Sequence, residues 1–287
     1  MISQEIIAKI KNLEIETRRR LRSFLIGMKD SREKGYGLEF DQLREYQFGD
    51  DVRFIDWKSS ARADKFLVKQ YRDDRSRTIN ILVDISGSSF FGSGNQIKYD
   101  ALCQLAITLA FVAYYARDAV GLVLFSDTIE LIIPPRIGLK HIHLIMEKLL
   151  THKPQSTGTN SNVALEYLAK SHNASIAFFL SDCIDQGFEK LLKIVAQKHD
   201  LMVIRCLDHY EQKIPEIGFL SVKDIETGQT MLLDTRNQYK NSLASFMQER
   251  FIEQEKMIRQ HGADVLTVIT QGPFIDDVVK FLYKRKL

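Results

Sequence analysis

Short apolar runs alternate with stretches of helical periodicity along most of the chain. The runs at 79–86, 119–126, 175–182, 201–208 and 265–270 have the length and composition of buried strands. Helices are predicted between and after them, at 97–117, 139–150, 161–170, 237–261 and 274–285. Strands that alternate with helices in this way predict an α/β fold with a doubly wound, mostly parallel sheet that helices cover on both faces.

Some details of this region rest on single residues. Ser161 is predicted to cap the helix that follows it, because a serine side chain accepts hydrogen bonds from the first backbone amides of a helix. A strand at 129–135 is expected to stop at its two prolines. Residues 219–234 predict a hairpin that turns at Thr227–Gly228.

The N-terminal quarter of the chain has a different pattern. Apolar residues recur at helical spacing over residues 2–26, with four arginines late in the segment, which predicts one helix. This helix either docks on its own domain or offers a basic amphipathic surface for peripheral contact with a membrane or a partner. Residues 27–78 are charge-rich and contain several glycines, which predicts short strands joined by turns. The predicted domains are 1–77 and 78–287.

The composition excludes several classes of protein. The 287 residues are 45% hydrophobic and 27% charged, the balance of an ordinary globular protein. Residues 1–78 carry 18 Lys/Arg against 14 Asp/Glu, a net charge of +4 that acids dilute too far for a nucleic-acid footprint. Three irregularly spaced cysteines exclude a disulfide framework, and neither a secretory signal nor a membrane-spanning run is visible. We expect a cytoplasmic protein that binds no nucleic acid.

Oxygen-bearing side chains follow the predicted strands where each strand ends. Asp84, Ser86 and Ser88 follow the first apolar run, Asp182 ends the run at 175–182, and Thr159 precedes a helix. Ligands of doubly wound sheets bind outside the carboxyl ends of the strands. Hard oxygen donors suit Mg²⁺, with Mn²⁺ or Ca²⁺ as alternatives. Because only two of the five donors are charged, the ion would keep positive charge and attract a carboxylate from another molecule.

These five residues also resemble a known site. Asp84-Ile-Ser86-Gly-Ser88, then Thr159, then Asp182 is similar in order and spacing to the metal-ion-dependent adhesion site of von Willebrand factor type A domains. The resemblance implies that the serines and the threonine touch the metal and that the aspartates act largely through water or hydrogen bonds. It also implies that a protein partner supplies an acidic residue to the metal.

A second resemblance lies in the N-terminal quarter. Gly37-Leu-Glu-Phe, followed by the segment from Arg44 to Arg62 with the only tryptophan, resembles the bacterial family known as domain of unknown function 58. In that family this segment precedes a von Willebrand A-like domain, and its members are typically paired with MoxR-type AAA+ ATPases. The resemblance therefore implies that this chain is an adaptor for such an ATPase. Many relatives begin with membrane helices, and this sequence does not.

The residues of the Arg44–Arg62 segment allow two interpretations, a structural element that packs on the sheet domain or a binding surface for a partner. The structural one expects apolar side chains to bury against the sheet domain and acids to pair with arginines. The apolar set is Phe54, Ile55 and Trp57, and the charged set is Arg44, Arg53 and Arg62 with Asp50, Asp51 and Asp56.

Enzymes are the rival class, and the usual motifs are missing. A dehalogenase-like phosphatase needs a second carboxylate two residues after Asp84, where this chain has Ser86. The sequence contains no P-loop, no nucleophile elbow and no dinucleotide fingerprint. The remaining alternatives to a metal-dependent binding module are a metal-assisted hydrolase in the same pocket, for which Asp185 is the nearest extra carboxylate, and a structural scaffold with an empty site.

Overall fold

The computed structural model describes residues 4–32, 39–72, 76–94, 96–183, 185–212, 216, 218–223 and 230–285. The chain forms two compact units, one of residues 1–24 with 77–287 and one of residues 25–76. The predicted domain boundary at 77/78 lies next to this division, but the first 24 residues group with the sheet unit. The predicted turn at Thr227–Gly228 and the first residues of the Gly37 motif lie outside the described residues.

The elements follow the predicted alternation. The helices are α1 (Gln4–Arg32), α2 (Trp57–Ala63), α3 (Lys98–Tyr115), α4 (Leu139–Thr151), α5 (Ser161–Lys170), α6 (Glu189–Lys198), α7 (His209–Gln212), α8 (Asn237–Gln260) and α9 (Phe274–Lys284). The strands are β1 (Glu39–Glu45), β2 (Leu67–Arg72), β3 (Thr78–Asp84), β4 (Ala119–Phe125), β5 (Ile129–Arg136), β6 (Ile176–Ser181), β7 (Asp200–Leu207), β8 (Phe219–Lys223), β9 (Thr230–Asp234) and β10 (Asp264–Ile269).

Six strands form the central sheet in the order β10-β7-β6-β3-β4-β5. All neighbours are parallel except β4 and β5, which pair antiparallel at one edge. If the six strands are renumbered 1 to 6 along the chain and read from the β5 edge, their order is 3-2-1-4-5-6. This is the arrangement of doubly wound folds. The predicted α/β, doubly wound, mostly parallel fold is confirmed.

The order of the strands fixes where a ligand would bind. The chain runs outward from β3 in one direction and from β6 in the other, so the topological switch point lies between these two strands. Both strands are buried over nearly their whole length, and Phe179 of β6 packs against Phe125 of β4 with ring centroids 5.2 Å apart. The last residues of the two strands are Asp84 and Ser181.

Helix α3 crosses the buried face of the sheet. Its residues from Ala101 to Ala113 are almost all buried, so the long apolar run of the sequence is a core helix. Among the described residues, no helix has both the length and the apolar character that crossing a membrane requires. Cys103, Cys183 and Cys206 are all buried and unpaired with one another.

Three local predictions differ from the structure. The N-cap of α5 is Asn160, whose side chain accepts a hydrogen bond from the amide of Asn162, and Ser161 is the first helical residue. Strand β5 ends at Arg136, one residue beyond the predicted end, and it accommodates both prolines because an edge strand needs no partner for the missing amides. Residues 57–63 form helix α2 instead of strands and turns, with Asp56 as its N-cap.

The first part of α1 packs on the sheet unit. Thr17 and Leu21 are buried, and the carboxylate of Glu14 lies 3.0 Å from the imidazole Nε2 of His143 on α4. The guanidinium of Arg18 lies 5.9 Å from the ring centroid of Phe111 on α3. These contacts support the interpretation that the N-terminal helix docks on its own domain.

The smaller unit is built on an antiparallel pair of strands, β1 and β2. Arg44 binds Asp50 through two hydrogen bonds of 2.8 and 2.6 Å, and Arg53 pairs with Asp51. The expected network is therefore a set of separate pairs, since Asp56 instead caps α2. Of the three apolar residues expected to bury, only Ile55 does so. Phe54 is 40% exposed and Trp57 63% exposed.

Candidate metal centre

Asp84 ends β3 with a fully buried carboxylate. Its Oδ1 accepts a hydrogen bond of 2.9 Å from the backbone amide of Ser86, and its Oδ2 accepts one of 2.7 Å from the hydroxyl of Ser181. Ser181 is the last residue of β6, so this second bond joins the two strands of the switch point. The carboxylate is therefore fixed in position from both sides.

The turn after β3 brings two hydroxyls together beside this carboxylate. The Oγ atoms of Ser86 and Ser88 are 3.1 Å apart, and Ser86 is fully buried. Residues 87–90 form a short 3₁₀ turn, and the hydroxyl of Ser89 donates to the carbonyl of Asp84 at 3.1 Å. The alternate positions of the sequence motif thus converge on one point, as the spacing predicts.

The loop that carries Thr159 lies against this turn. The amide of Gly87 donates to the carbonyl of Thr157 at 2.9 Å, and the amide of Asn160 donates to the carbonyl of Ser126 after β4 at 3.0 Å. Thr159 lies between these two anchored residues and is half-buried. The loop is thereby held at the carboxyl edge of the sheet, next to Ser86 and Ser88.

Asp182 follows β6 and is held by a buried lysine. The Nζ atom of Lys98 lies 2.8 Å from Oδ2 of Asp182 and 2.9 Å from Oε1 of Glu211. Lys98 is the first residue of α3 and is only 1% exposed, while Asp182 is 2% exposed. The chain then turns sharply, with Cys183 in the left-handed region at φ 56°. Asp182 is thus a buried carboxylate whose position depends on an internal cation.

The electrostatics of this group favour a divalent cation. Asp182 and Glu211 share the ammonium of Lys98, and Asp84 adds a further carboxylate beside Asp182, so these four groups carry a formal charge of −2 when all are ionised. Burial, followed by the negative charge of Asp182, raises the pKa of Asp84 to about 7. Burial also raises the pKa of Glu211. A divalent cation beside the hydroxyls would neutralise the excess negative charge, so the residues fit such an ion.

The donor set is of a particular kind. Within the described ranges, no three His, Cys, Asp or Glu side chains cluster as ligands of one metal ion. The candidate centre has two carboxylates, and its remaining donors are the hydroxyls of Ser86, Ser88 and Thr159. Such a set matches a hard ion that keeps some of its water, as Mg²⁺ does.

Asp185, the extra carboxylate near the site, already has partners. Its Oδ2 accepts a hydrogen bond of 2.7 Å from the amide of Ser161, and its Oδ1 accepts one of 2.7 Å from the hydroxyl of the same residue. The pKa of Asp185 is raised by burial in spite of these bonds. Asp185 thus accepts hydrogen bonds from the first residue of α5 and stabilises the start of that helix.

Sequence reasoning missed three residues of this centre: Lys98, Ser181 as a partner of Asp84, and Glu211. One signal for Lys98 was available. A lysine at the first position of an apolar helix opposes the helix dipole, and that position usually holds an acid or a neutral residue. Such a cation needs compensation nearby, so its position already indicates buried carboxylates.

Two solved structures show a partial likeness to this chain. BatB from Bacteroides thetaiotaomicron superposes with a TM-score of 0.48 at 14% identity, covering 74% of this chain and 99% of that chain. The VWA domain of SpRpn10 superposes with a TM-score of 0.39 at 10% identity, covering 72% of this chain and 95% of that one. The strand order described above carries the fold assignment independently of these likenesses.

Sequence comparisons reach proteins that match nearly end to end. Uncharacterized protein Rv1480 of Mycobacterium tuberculosis is 25% identical over 286 residues, which cover 98% of this chain and 90% of the relative. Uncharacterized protein Mb1516 of Mycobacterium bovis matches to the same extent. Residues 42–250, most of the chain, match the family described as "Protein of unknown function DUF58". The chain therefore belongs to the DUF58 family, as the Arg44–Arg62 segment predicted.

Proposed function

We propose that this protein is a non-enzymatic module that binds a protein partner through a divalent metal ion, Mg²⁺ in the cell. Its ligand groups would be the hydroxyls of Ser86, Ser88 and Thr159, supported by the carboxylates of Asp84 and Asp182. The observation that carries the proposal is that the hydroxyls of Ser86 and Ser88 lie 3.1 Å apart beside the fixed carboxylate of Asp84 at the switch point. Few charged ligands would leave the ion able to bind an acidic side chain of the partner.

The hydrolase alternative has less support. A metal-assisted hydrolase needs a general base near the ion. Asp185 is the nearest extra carboxylate, and both of its oxygens accept hydrogen bonds from Ser161. Asp84 and Asp182 are likewise engaged, by Ser181 and Lys98. This arrangement favours binding over catalysis.

For the partner, we propose a MoxR-type AAA+ ATPase that supplies the acidic residue. The basis of this choice is analogy: the chain belongs to the DUF58 family, and the resemblance to that family implies pairing with such an ATPase. The two proteins would then have different roles. The ATPase hydrolyses the nucleotide, and this chain, which lacks a P-loop, contributes the metal-dependent contact.

Two measurements test the proposal. Isothermal titration with Mg²⁺ should show binding by the wild type and none by Asp84→Asn, which keeps the shape of the side chain. The matched control is Glu166→Gln, which removes an exposed carboxylate from α5 and should bind Mg²⁺ as the wild type does. Equal binding by wild type and Asp84→Asn contradicts the metal site.

The second measurement is co-purification with a MoxR-type ATPase from the same organism. The complex should need Mg²⁺ and should fail to form with the Ser86→Ala, Ser88→Ala double variant, while Glu166→Gln binds normally. A complex that persists in excess chelator shows that the metal is not the contact.

A further inference from the structure

Lys98 is the unusual residue of the candidate centre. It is a cation at the N-terminal end of a helix, where the dipole is repulsive, and it is almost completely buried. Its ammonium group contacts two carboxylates, those of Asp182 and Glu211, so the buried positive charge is paired on both sides. The fold thus places a buried cation beside a predicted cation site.

The position of this charge is defined by its two partners. Nζ of Lys98 is 2.8 Å from Asp182, on the metal side, and 2.9 Å from Glu211, on the side of α7. Glu211 is itself fixed, because its Oε2 accepts the amide hydrogen of Asp208 at 2.7 Å. Asp208 in turn accepts hydrogen bonds from the amides of Ser93 and Tyr210. The lysine is therefore held between two anchored carboxylates and cannot turn to solvent.

We infer that Lys98 is the internal counter-ion of the metal centre: it holds Asp182 in place when no metal is bound and limits how tightly the centre binds a divalent ion. The inference rests on the proposed metal site and adds a residue that the sequence motif does not contain. The physical reason is simple. A positive charge in contact with Asp182 reduces the attraction of that carboxylate for Mg²⁺ or Mn²⁺, and burial leaves the effect poorly screened.

Glu211 has the opposite effect in this arrangement. Its carboxylate partly neutralises the positive charge of Lys98. The lysine then competes less strongly with the metal ion for Asp182. The order of metal affinity should therefore follow the charge around Asp182. Lys98→Met should bind most tightly, the Lys98→Met, Glu211→Gln double variant next, then the wild type, and Glu211→Gln most weakly.

The experiment measures Mn²⁺ affinity of the full-length chain by the electron paramagnetic resonance of free Mn²⁺, at fixed pH and ionic strength. Lys98→Met should tighten binding at least about tenfold, and Glu211→Gln should weaken it about threefold. Lys98→Met could fold poorly because it leaves two carboxylates without their cation. The double variant removes the charges of Lys98 and Glu211 together and still reports the effect of the lysine, with tighter binding than the wild type.

A purely structural role of Lys98 predicts the opposite sign for Lys98→Met and for the double variant, since a disturbed Asp182 would weaken binding in both. Unchanged or weaker affinity in Lys98→Met and in the double variant overturns the inference while leaving the metal site intact, provided that the wild type binds Mn²⁺. Binding by Lys98→Met with none by the wild type supports the inference. No binding by any of the four proteins overturns both this inference and the proposed function.

Discussion

The hydroxyl of Ser181 donates a hydrogen bond of 2.7 Å to Oδ2 of Asp84, joining the carboxyl ends of two neighbouring parallel strands. Ser181 also accepts the amide hydrogen of Cys183 at 2.9 Å, which supports the sharp turn after Asp182. One buried serine thereby fixes both the first aspartate of the motif and the backbone that carries the last one.

Ser181→Ala should destabilise the protein by about 1–3 kcal/mol, because the buried Oδ2 atom of Asp84 and the buried amide of Cys183 each lose the hydrogen bond to Ser181. Urea unfolding with chelator present measures the loss of stability. Ser221→Ala, on exposed strand β8, is the matched control and should change stability little. Equal unfolding midpoints for the two variants contradict the role given to Ser181.

Asp185→Ala should cost about 1 kcal/mol of stability, because the first turn of α5 loses an acceptor for the amide and the hydroxyl of Ser161. Asp185→Asn keeps one acceptor and should lose less. Thermal unfolding of the two variants gives the comparison.

The purified wild type should hydrolyse neither ATP nor nitrophenyl phosphate. Turnover that disappears in Asp185→Asn without loss of stability would favour the hydrolase instead.

His199 should make a contribution to stability that is lost in mild acid. Burial lowers the pKa of this histidine below its ordinary value of 6.5. Its Nδ1 accepts from the amide and hydroxyl of Ser175, and its Nε2 lies 2.9 Å from the carbonyl of Leu168, so the neutral ring fits the site. The unfolded chain binds the proton more readily, so this contribution is present above pH 6.5 and is lost as the pH falls toward the folded pKa.

His199→Asn should therefore be less stable than the wild type at pH 8, and its stability should fall less between pH 7 and pH 5. Urea unfolding across this range provides the test. His172→Asn, which changes an exposed histidine, should keep the acid dependence of the wild type. A wild-type slope that survives in His199→Asn would assign the dependence to other groups.

Gly121→Ala should destabilise the β4–β5 edge of the sheet by about 1–3 kcal/mol. An added Cβ would lie 2.9 Å from the carbonyl oxygen of Ile133 and 3.0 Å from the ring of Pro135, and the backbone atom cannot move aside easily. Gly272→Ala, where the nearest atom would be 3.4 Å away, is the control. Guanidinium unfolding curves that coincide for the two variants would show that the edge adjusts freely.

Bound Mg²⁺ should stabilise the wild type in a concentration-dependent way, by about 2.7 kcal/mol when the free Mg²⁺ concentration is one hundred times the dissociation constant. The thermal unfolding midpoint should rise accordingly. The Ser86→Ala, Ser88→Ala double variant should show no such increase, and excess chelator should reverse it in the wild type. An equal increase in both proteins places the effect elsewhere on the molecule.

The sequence by itself determined the architecture and predicted five residues of the candidate centre. The strand boundaries at β3, β4, β6, β7 and β10 fall within a residue or two of the predicted apolar runs, because a buried parallel strand must be continuously apolar. The Asp84–Ser88 turn could also be predicted from the sequence. Its members are neighbours in the chain, so their convergence depends only on local backbone geometry.

Tertiary structure alone decided which distant side chains complete the centre. Lys98 is separated from Asp182 by 84 residues and from Glu211 by 113, and Ser181 is separated from Asp84 by 97. No periodicity or spacing relates positions so far apart. Their contacts arise because the strand order brings β3 beside β6 and the start of α3 over both strand ends. Burial there then requires every charge to have a partner.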